Sequence, residues 1–408
     1  MTSYKSDFLN VLAERGFLHQ MTDAAALDAA LCKGQVTGYC GFDATADSLH
    51  VGNLVPVTLL RWLQKTGHKP IALLGGGTTK VGDPSGRDET RKLLTDADIA
   101  RNKTGQLKNL QQFIDFENGR ALLVDNDDWL SKLNYIDFLR DVGVHYSINR
   151  MLAMDSVKLR LDREQNLSFI EFNYMLMQGY DFVELHAKYG CTLQLSGADQ
   201  WGNIISGIEL GRRMRGYELF GLTAPLITKA DGSKMGKSVS GAVWLTAEKF
   251  SPYEYYQFWR NTADADVAKM LALFTELPMT EVKKLSALAG SEINEAKKIL
   301  ALEATTLCHG RAAAEAAAET ARATFEQGAL GGDLPTIKAS VGAAIVDLLV
   351  DAGLAASKGE AKRLIAGGGV RLNDAKVSDE TAKLAANDIT NGEAKLSAGK
   401  KKHAVVKV

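Results

Sequence analysis

The chain has 408 residues, and 48 Lys and Arg against 49 Asp and Glu give a formal net charge of −1. That balance excludes a global field that would draw in nucleic acid, so RNA binding needs a local basic patch. The length allows roughly two or three domains, and four scattered cysteines without a Cys-x-x-Cys pair argue against structural zinc or a disulfide framework and fit a reducing cytoplasm. The stretch Met1 to Gln20 carries Asp7 and Glu14 and lacks the apolar core of a signal peptide. No apolar run reaches the about 18 residues of a membrane span, so no membrane partner is expected.

Apolar runs and helical patterns alternate from Tyr39 to Ile227. A first strand is expected over Gly38–Phe42. It ends in the polar turn Asp43-Ala-Thr-Ala-Asp-Ser48, which delivers His50, Gly52 and Asn53 to an apolar helix over roughly residues 51–66. A helix start offers unpaired N–H groups and a positive dipole end, which suits phosphate. Gly52 lacks a Cβ, so a ring or backbone can come close. His50 can donate a hydrogen bond to a phosphate oxygen without a full charge.

Further strands are expected over Pro70–Leu74, Ala121–Val124, Thr192–Leu195 and Leu222–Ile227. Helices are expected over Ala97–Phe116, Tyr135–Val142, Ser168–Gly179 and Gln200–Met214. The alternation predicts a parallel sheet with covering helices. Ligands bind such sheets at the carboxyl ends of the strands. The runs Gly75-Gly-Gly77 and Gly82-Asp-Pro-Ser-Gly86 follow the second strand, where that rule places a site.

After the last strand comes Lys229-Ala-Asp-Gly-Ser-Lys-Met-Gly-Lys-Ser238. Lys234 and Lys237 are two ammonium groups on a run of small residues. Such a loop can close on a polyphosphate and neutralise charge as pyrophosphate leaves. Residues 251–327 read as helical throughout, with alanine dense around 312–323. Gly328 to Pro335 reads as a linker. Beyond it, Ser357 can cap a helix with Glu360 at the capping-box position. Lys358, Lys362 and Arg363 then lie near one face, with Arg371 after the Gly367-Gly-Gly369 turn.

The His50 and lysine motifs resemble the two signatures of class I aminoacyl-tRNA synthetases. Gly82–Gly86, Tyr174-Met-Leu-Met-Gln-Gly-Tyr-Asp181, Gly197-Ala-Asp-Gln-Trp-Gly-Asn203 and Ser251-Pro-Tyr-Glu-Tyr-Tyr-Gln-Phe-Trp259 extend the resemblance to the bacterial tyrosine-specific branch over nearly the whole chain. It implies an α/β fold. A Rossmann-like parallel-sheet catalytic domain (1–238) is followed by an all-α, anticodon-binding-type domain (239–330). A linker (331–339) then leads to a small α+β RNA-binding module of the ribosomal S-four type (340–408). It also implies a homodimer with tyrosine, ATP and tRNA(Tyr) as partners.

The resemblance assigns roles by position. Tyr39 and Asp181 would face the substrate phenol, since a hydroxyl beside a carboxylate can both donate and accept. Tyr174 and Gln178, at i and i+4 on one helix, would hold the substrate ammonium with Asp83. Gln200 would lie near its α-carbon. Gly41, Asp43, Gly52 and Asn53 would frame the adenosine, with Asp199 on its ribose. Thr45 and His50 would meet the γ-phosphate end of ATP. Lys234, Lys237 and Ser238 would meet the departing pyrophosphate, with Arg87 and Arg91 adding positive charge. Mg²⁺ would arrive with ATP, because no dedicated carboxylate cage stands out. Lys358, Lys362, Arg363 and Arg371 would hold RNA phosphate.

Three positions depart from the family pattern. Asn53 replaces a histidine, Gly236 replaces a serine, and Ala44 stands where proline is common, which is expected to soften the turn before Thr45. Two rivals are a related synthetase for tryptophan and an RNA-binding protein with an inactive synthetase body. Tyr39 and Asp181 weigh against the first, and His50 with Lys234 and Lys237 against the second.

Overall fold

The computed structural model describes residues 4–85, 93–228, 235, 237–238, 241–326, 334–390, 392–399 and 402–408. Two compact units form. The first takes residues 1–236, 244–249 and 262–296, and the second takes 237–243, 250–261 and 297–408.

The first unit is built on a six-stranded sheet. Its strands are β1 (Gln20–Met21), β2 (Thr37–Asp43), β3 (Lys69–Gly75), β4 (Leu122–Asp125), β5 (Cys191–Gly197) and β6 (Phe220–Ala224). Their order is β1-β6-β5-β2-β3-β4. The five strands β2 to β6 are parallel, and their apolar runs are those of a sheet covered on both faces. From β2 the chain steps outward through β3 and β4, then returns to the other side of β2 for β5 and β6. This reversal opens a crevice between the carboxyl ends of β2 and β5, where open α/β sheets bind ligands.

The structure departs from the sequence expectation in three places. Two-residue β1 pairs antiparallel with β6, so the sheet is mixed at one edge. It is too short to show a period-2 pattern. β6 stops at Ala224, three residues before the expected end, because Pro225 has no N–H for the ladder. The helix expected over Ser168–Gly179 is two helices, Phe169–Phe172 and Tyr174–Tyr189. Ser168 and Glu171 form a capping box on the first, and Asn173 Nδ2 donates to the Phe169 carbonyl at 2.7 Å where it ends.

Helix Leu54–Lys65 packs against β2, β3 and β5. Helices Tyr174–Tyr189 and Trp201–Arg215 pack on each other through Gly179 and Gly207. A Cβ on either residue would lie 3.4–3.5 Å from the facing glycine's Cα. Arg15 is buried against the segment after helix Val267–Phe274. Its guanidinium donates to the carbonyls of Ala272 (2.9 Å), Thr275 (2.7 Å) and Leu277 (2.6 Å) and lies over the Trp62 ring. The carbonyls of Ala272 and Thr275 belong to the end of that helix, and a cation suits them.

In the second unit, β7 (Lys237–Ser238) and β8 (Gly241–Ala242) form a short antiparallel pair. Helix Pro252–Arg260 packs on the alanine-rich helix Arg311–Glu326, and Trp259 and Tyr255 are buried there. Ser251 and Glu254 start the first of these helices with a capping box and proline in the first turn. The C-terminal strands are β9 (Thr336–Lys338), β10 (Val370–Leu372), β11 (Ala375–Lys376), β12 (Glu393–Ala398) and β13 (Lys402–Lys407), in the order β11-β10-β12-β13-β9. Helices Ile345–Asp351 and Lys358–Ala366 close a core of Leu349, Val370, Leu396 and Val406. Residues 336–338 fall inside the expected linker, yet they pair in parallel with β13.

Candidate active site

A cavity of about 660 Å³ opens at the carboxyl ends of β2 and β5. Alternation along β2 sends Tyr39, Gly41 and Asp43 to the cavity side, and alternation along β5 does the same for Gln194 and Ser196. Helix Tyr174–Tyr189 contributes Tyr174, Gln178 and Asp181, at i, i+4 and i+7. Thr45, His50, Gly52, Asn53, Asp83, Asp199 and Gln200 complete the group of sequence-derived candidates lining the same space. Arg87, Arg91, Lys234 and Gly236 lie outside the described residues. The backbones of Lys237 and Ser238 run in β7, and their side chains lie outside the described residues.

The floor of the cavity is a buried carboxylate. Asp181 is 1% exposed. It accepts from Asn126 Nδ2 at 2.9 Å and Trp129 Nε1 at 2.8 Å. Burial pushes its carboxyl up to about 8 despite these two donors. Tyr39 pairs in register with Gln194 across β2 and β5 and is 1% exposed. Burial, reinforced by the nearby Asp181, holds its phenol well above the usual range. Its hydroxyl is buried without a hydrogen-bond partner among the described residues, as are Gln178 Oε1 and Gln194 Oε1. A buried polar atom without a partner is costly, and a cavity lined by three of them fits a polar ligand.

A second carboxylate network lies nearer the strand ends. Tyr174 Oη donates to Asp43, 3.3 Å from either carboxylate oxygen. Thr78 Oγ1 donates to Asp43 at 2.8 Å and accepts from Asn126 Nδ2 at 3.0 Å. Asp83 accepts from the Ser85 N–H (2.9 Å) and Gln200 Nε2 (2.8 Å). At the mouth, His50 caps a short 3₁₀ turn, Val51–Asn53, that leads into helix Leu54–Lys65. The Gly52 N–H donates to His50 Nδ1 at 3.0 Å. A neutral imidazole accepting there carries its proton on Nε2, the form that can donate to an anion. Asn53 Oδ1 accepts from the His50 N–H at 3.1 Å, so its amide NH₂ remains the donating end.

The turn between β2 and His50 is held from one side by helix Asp96–Phe113. Asn102 donates to the Ala44 carbonyl (2.8 Å), and Gln106 donates to the carbonyls of Asp43 (2.9 Å) and Ala46 (3.2 Å). Asn109 Oδ1 accepts from the Leu49 N–H (2.8 Å). The Ala44 N–H, which proline would lack, donates to Thr79 Oγ1 at 2.7 Å. The turn is therefore tied at Ala44 and not softened.

Sequence reasoning missed Gln194, Asn126, Trp129 and Thr78. Each had a readable signal. Gln194 is a polar residue in the middle of an apolar strand, and a buried amide needs a partner. Thr78, Asn126 and Trp129 follow the carboxyl ends of β3 and β4. Trp244 also lines the cavity and meets His50 edge to face at 6.0 Å, and no sequence pattern pointed to it.

In the C-terminal strands and helices, Ser357 Oγ accepts from the Glu360 N–H at 3.2 Å. Glu360 reaches back to the Ala356 N–H at 2.7 Å rather than to Ser357, one residue beyond the expected capping box. Lys362 and Arg363 are exposed on this helix. Lys358 pairs with Asp347 at 2.8 Å. Arg371 Nη1 donates to the Asp374 carbonyl at 3.0 Å.

The raised Asp181 carboxyl has a measurable consequence. Folded protein holds its proton up to about pH 8, while the unfolded chain releases it near the ordinary value of 3.8. The folded state therefore binds the extra proton across this window, and stability falls as pH rises through it. Asp181→Asn has no such proton, so its melting temperature should fall less steeply between those limits. Parallel slopes for the two proteins in calorimetry would contradict the assignment.

The family model described as tRNA synthetases class I (W and Y) matches residues 32–326. The model for a Tyrosine--tRNA ligase SYY-like C-terminal domain matches residues 324–406. The chain is 57% identical over 415 residues to the tyrosine–tRNA ligase of Bradyrhizobium diazoefficiens, covering 100% of both chains. It is 58% identical over 410 residues to that of Ruegeria pomeroyi, covering 99% of both. Among solved structures, a C-terminally truncated mitochondrial tyrosyl-tRNA synthetase from Aspergillus nidulans matches with a TM-score of 0.71 and 32% identity, over 79% of this chain and 94% of that one. The resemblance read from the motifs therefore holds from end to end, and the chain belongs to the bacterial tyrosyl-tRNA synthetases of class I.

Proposed function

We infer that this chain attaches L-tyrosine to tRNA(Tyr) in two steps, acting as a tyrosine–tRNA ligase. The observation that carries this reading is the floor of the cavity. Asp181, fixed by Asn126 and Trp129, lies beside a Tyr39 hydroxyl that has no hydrogen-bond partner among the described residues. A substrate phenol supplies the missing donor and acceptor, and a phenylalanine leaves those groups unpaired.

In the first step the tyrosine carboxylate attacks the α-phosphorus of ATP. The bond to the β-phosphate oxygen breaks, and pyrophosphate leaves. In the second step a ribose hydroxyl of the terminal tRNA adenosine attacks the tyrosyl carbonyl and AMP leaves. No protein nucleophile is needed, so positioning and charge stabilisation do the catalysis. Asp83, Tyr174 and Gln178 hold the ammonium, and Gln200 lies near the α-carbon. Gly41, Asp43, Gly52 and Asn53 frame the adenosine, and Asp199 accepts from its ribose hydroxyls. Thr45 and His50 meet the phosphate end. Lys234, Lys237 and Ser238, with Arg87 and Arg91, neutralise the leaving pyrophosphate. Mg²⁺ enters as part of the nucleotide substrate.

Residues 1–238 act as the catalytic domain and 239–330 as an anticodon-binding-type domain, and the linker from 331 ends where β9 begins at Thr336. The remainder to residue 408 forms the RNA-binding module, with Lys358, Lys362, Arg363 and Arg371 on tRNA phosphate. The match of residues 324–406 to a synthetase C-terminal domain supports that division. The protein works in the cytoplasm. No helix among the described residues is long and apolar enough to cross a membrane.

It works as a homodimer. Tyr135, Ile136, Val144, Ile148 and Phe169 are apolar and each more than half exposed. Large apolar side chains left this exposed fit burial by a second copy. Wild type is expected to sediment as a dimer and the Val144→Glu, Phe169→Glu double variant as a monomer. A monomeric wild type would remove this part of the reading.

The whole reaction is tested by incubating the purified protein with radiolabelled tyrosine, ATP and tRNA(Tyr). Label should become acid-precipitable only with all three present. Label on the tRNA from tryptophan, and none from tyrosine, would favour the rival specificity.

A further inference from the structure

The segment Trp244–Lys249 lies a few residues after the lysine motif in the chain, and it runs antiparallel to the turn that presents His50. Four of its residues pair with the four successive residues from His50 back to Asp47. The backbones of Trp244 and His50 form a β-bridge. The Leu245 N–H donates to the Leu49 carbonyl at 2.9 Å. Thr246 Oγ1 donates to Ser48 Oγ at 2.8 Å. Lys249 pairs with Asp47 at the outer end.

One polar chain sits at the centre of this pairing. Asn109 Nδ2 donates to Thr246 Oγ1 at 3.1 Å, Thr246 donates to Ser48, and Ser48 Oγ donates to the Leu49 carbonyl at 2.7 Å. Asn109 Oδ1 also lies 3.1 Å from Ser48 Oγ and 3.4 Å from Thr246 Oγ1, so the three side chains close into one polar cluster. Ser48 and Asn109 are 2% and 1% exposed. Helix Asp96–Phe113 lies so close to this turn that a Cβ at Gly105 would collide with the Asp47 carbonyl.

We propose that Thr246, held by Asn109 and Ser48, is a positioning residue for the ATP step. It fixes Trp244–Lys249 against the turn that ends at His50, and so fixes the ring read as meeting the phosphate end of ATP. The inference rests on the reading that His50 acts on ATP. It assigns Thr246 no contact with substrate. Tyrosine binds at Asp181 and Tyr39, away from the anchor, so the consequence falls on ATP and not on tyrosine.

The test compares wild type, Thr246→Val and Thr246→Ser. Valine keeps the shape and removes the hydroxyl that accepts from Asn109 Nδ2 and donates to Ser48 Oγ. Tyrosine-dependent ATP–pyrophosphate exchange should slow about tenfold in Thr246→Val, with a raised KM for ATP. The tyrosine dissociation constant, measured without ATP, should stay unchanged. Thr246→Ser should restore the wild-type rate and KM. Exchange equal to wild type in Thr246→Val overturns the proposal. So does a loss of tyrosine binding as large as the loss of exchange, which would mark a merely structural role. A wild type without exchange instead removes the functional reading beneath it. Should Thr246→Val not fold, Asp47→Asn at the exposed end must raise the KM for ATP in the same direction, and an unmoved KM overturns the proposal.

Discussion

Lys237→Ala is expected to slow formation of tyrosyl-adenylate by about two to three orders of magnitude, the usual cost of losing a group aimed at transition-state charge. Tyrosine binding should hardly change. Negative charge on the pyrophosphate oxygens is greatest as the α-phosphorus bond breaks, so an ammonium there stabilises the transition state more than the ground state. The groups proposed to hold tyrosine are others, chiefly Asp181, Tyr39, Tyr174 and Gln178, which line the cavity. Stopped-flow measurement separates the two quantities. A raised tyrosine dissociation constant with an unchanged forward rate would sink the assignment.

Removing residues 336–408 is expected to abolish charging of tRNA(Tyr) and spare tyrosyl-adenylate formation. The deleted residues include the whole sheet β9–β13 with its own core, so the cut takes a complete folded layer. The Aspergillus nidulans relative crystallised in a C-terminally truncated form. What is lost is the basic face at Lys362, Arg363 and Arg371. The shortfall should therefore appear as tRNA affinity weakened by at least about a hundredfold near physiological salt, with a shallower salt dependence in what remains. Both activities must be read on one preparation. A truncated protein that charges tRNA as fast as the full chain shows the module to be dispensable.

The sequence made legible those parts of the site that rest on a strand end or a helix period. The carboxyl ends of β2 and β5 were readable from apolar runs that stop at polar turns. Tyr174, Gln178 and Asp181 were readable because helical spacing puts them on one side. The supports of these residues were not. Asn102, Gln106 and Asn109 have the spacing of a buried helix face but the chemistry of a solvated one. They are buried because the turn at residues 43–49 presents carbonyls and N–H groups that no ladder satisfies. Their partners lie about sixty residues away in the chain, a separation that local pattern cannot bridge. The same holds for Thr246 and Ser48, 198 residues apart. β1 escaped because two residues carry no period, and β6 was read too long because its apolar run continues past a proline.

The central claim is that the cavity activates tyrosine with ATP before any tRNA is bound. ATP–pyrophosphate exchange tests it most directly, run without tRNA and with tyrosine, phenylalanine or tryptophan in turn. Label should move from pyrophosphate into ATP with tyrosine, and exchange should be far slower with the other two. Exchange supported equally by phenylalanine or tryptophan, or by no amino acid at all, would contradict it.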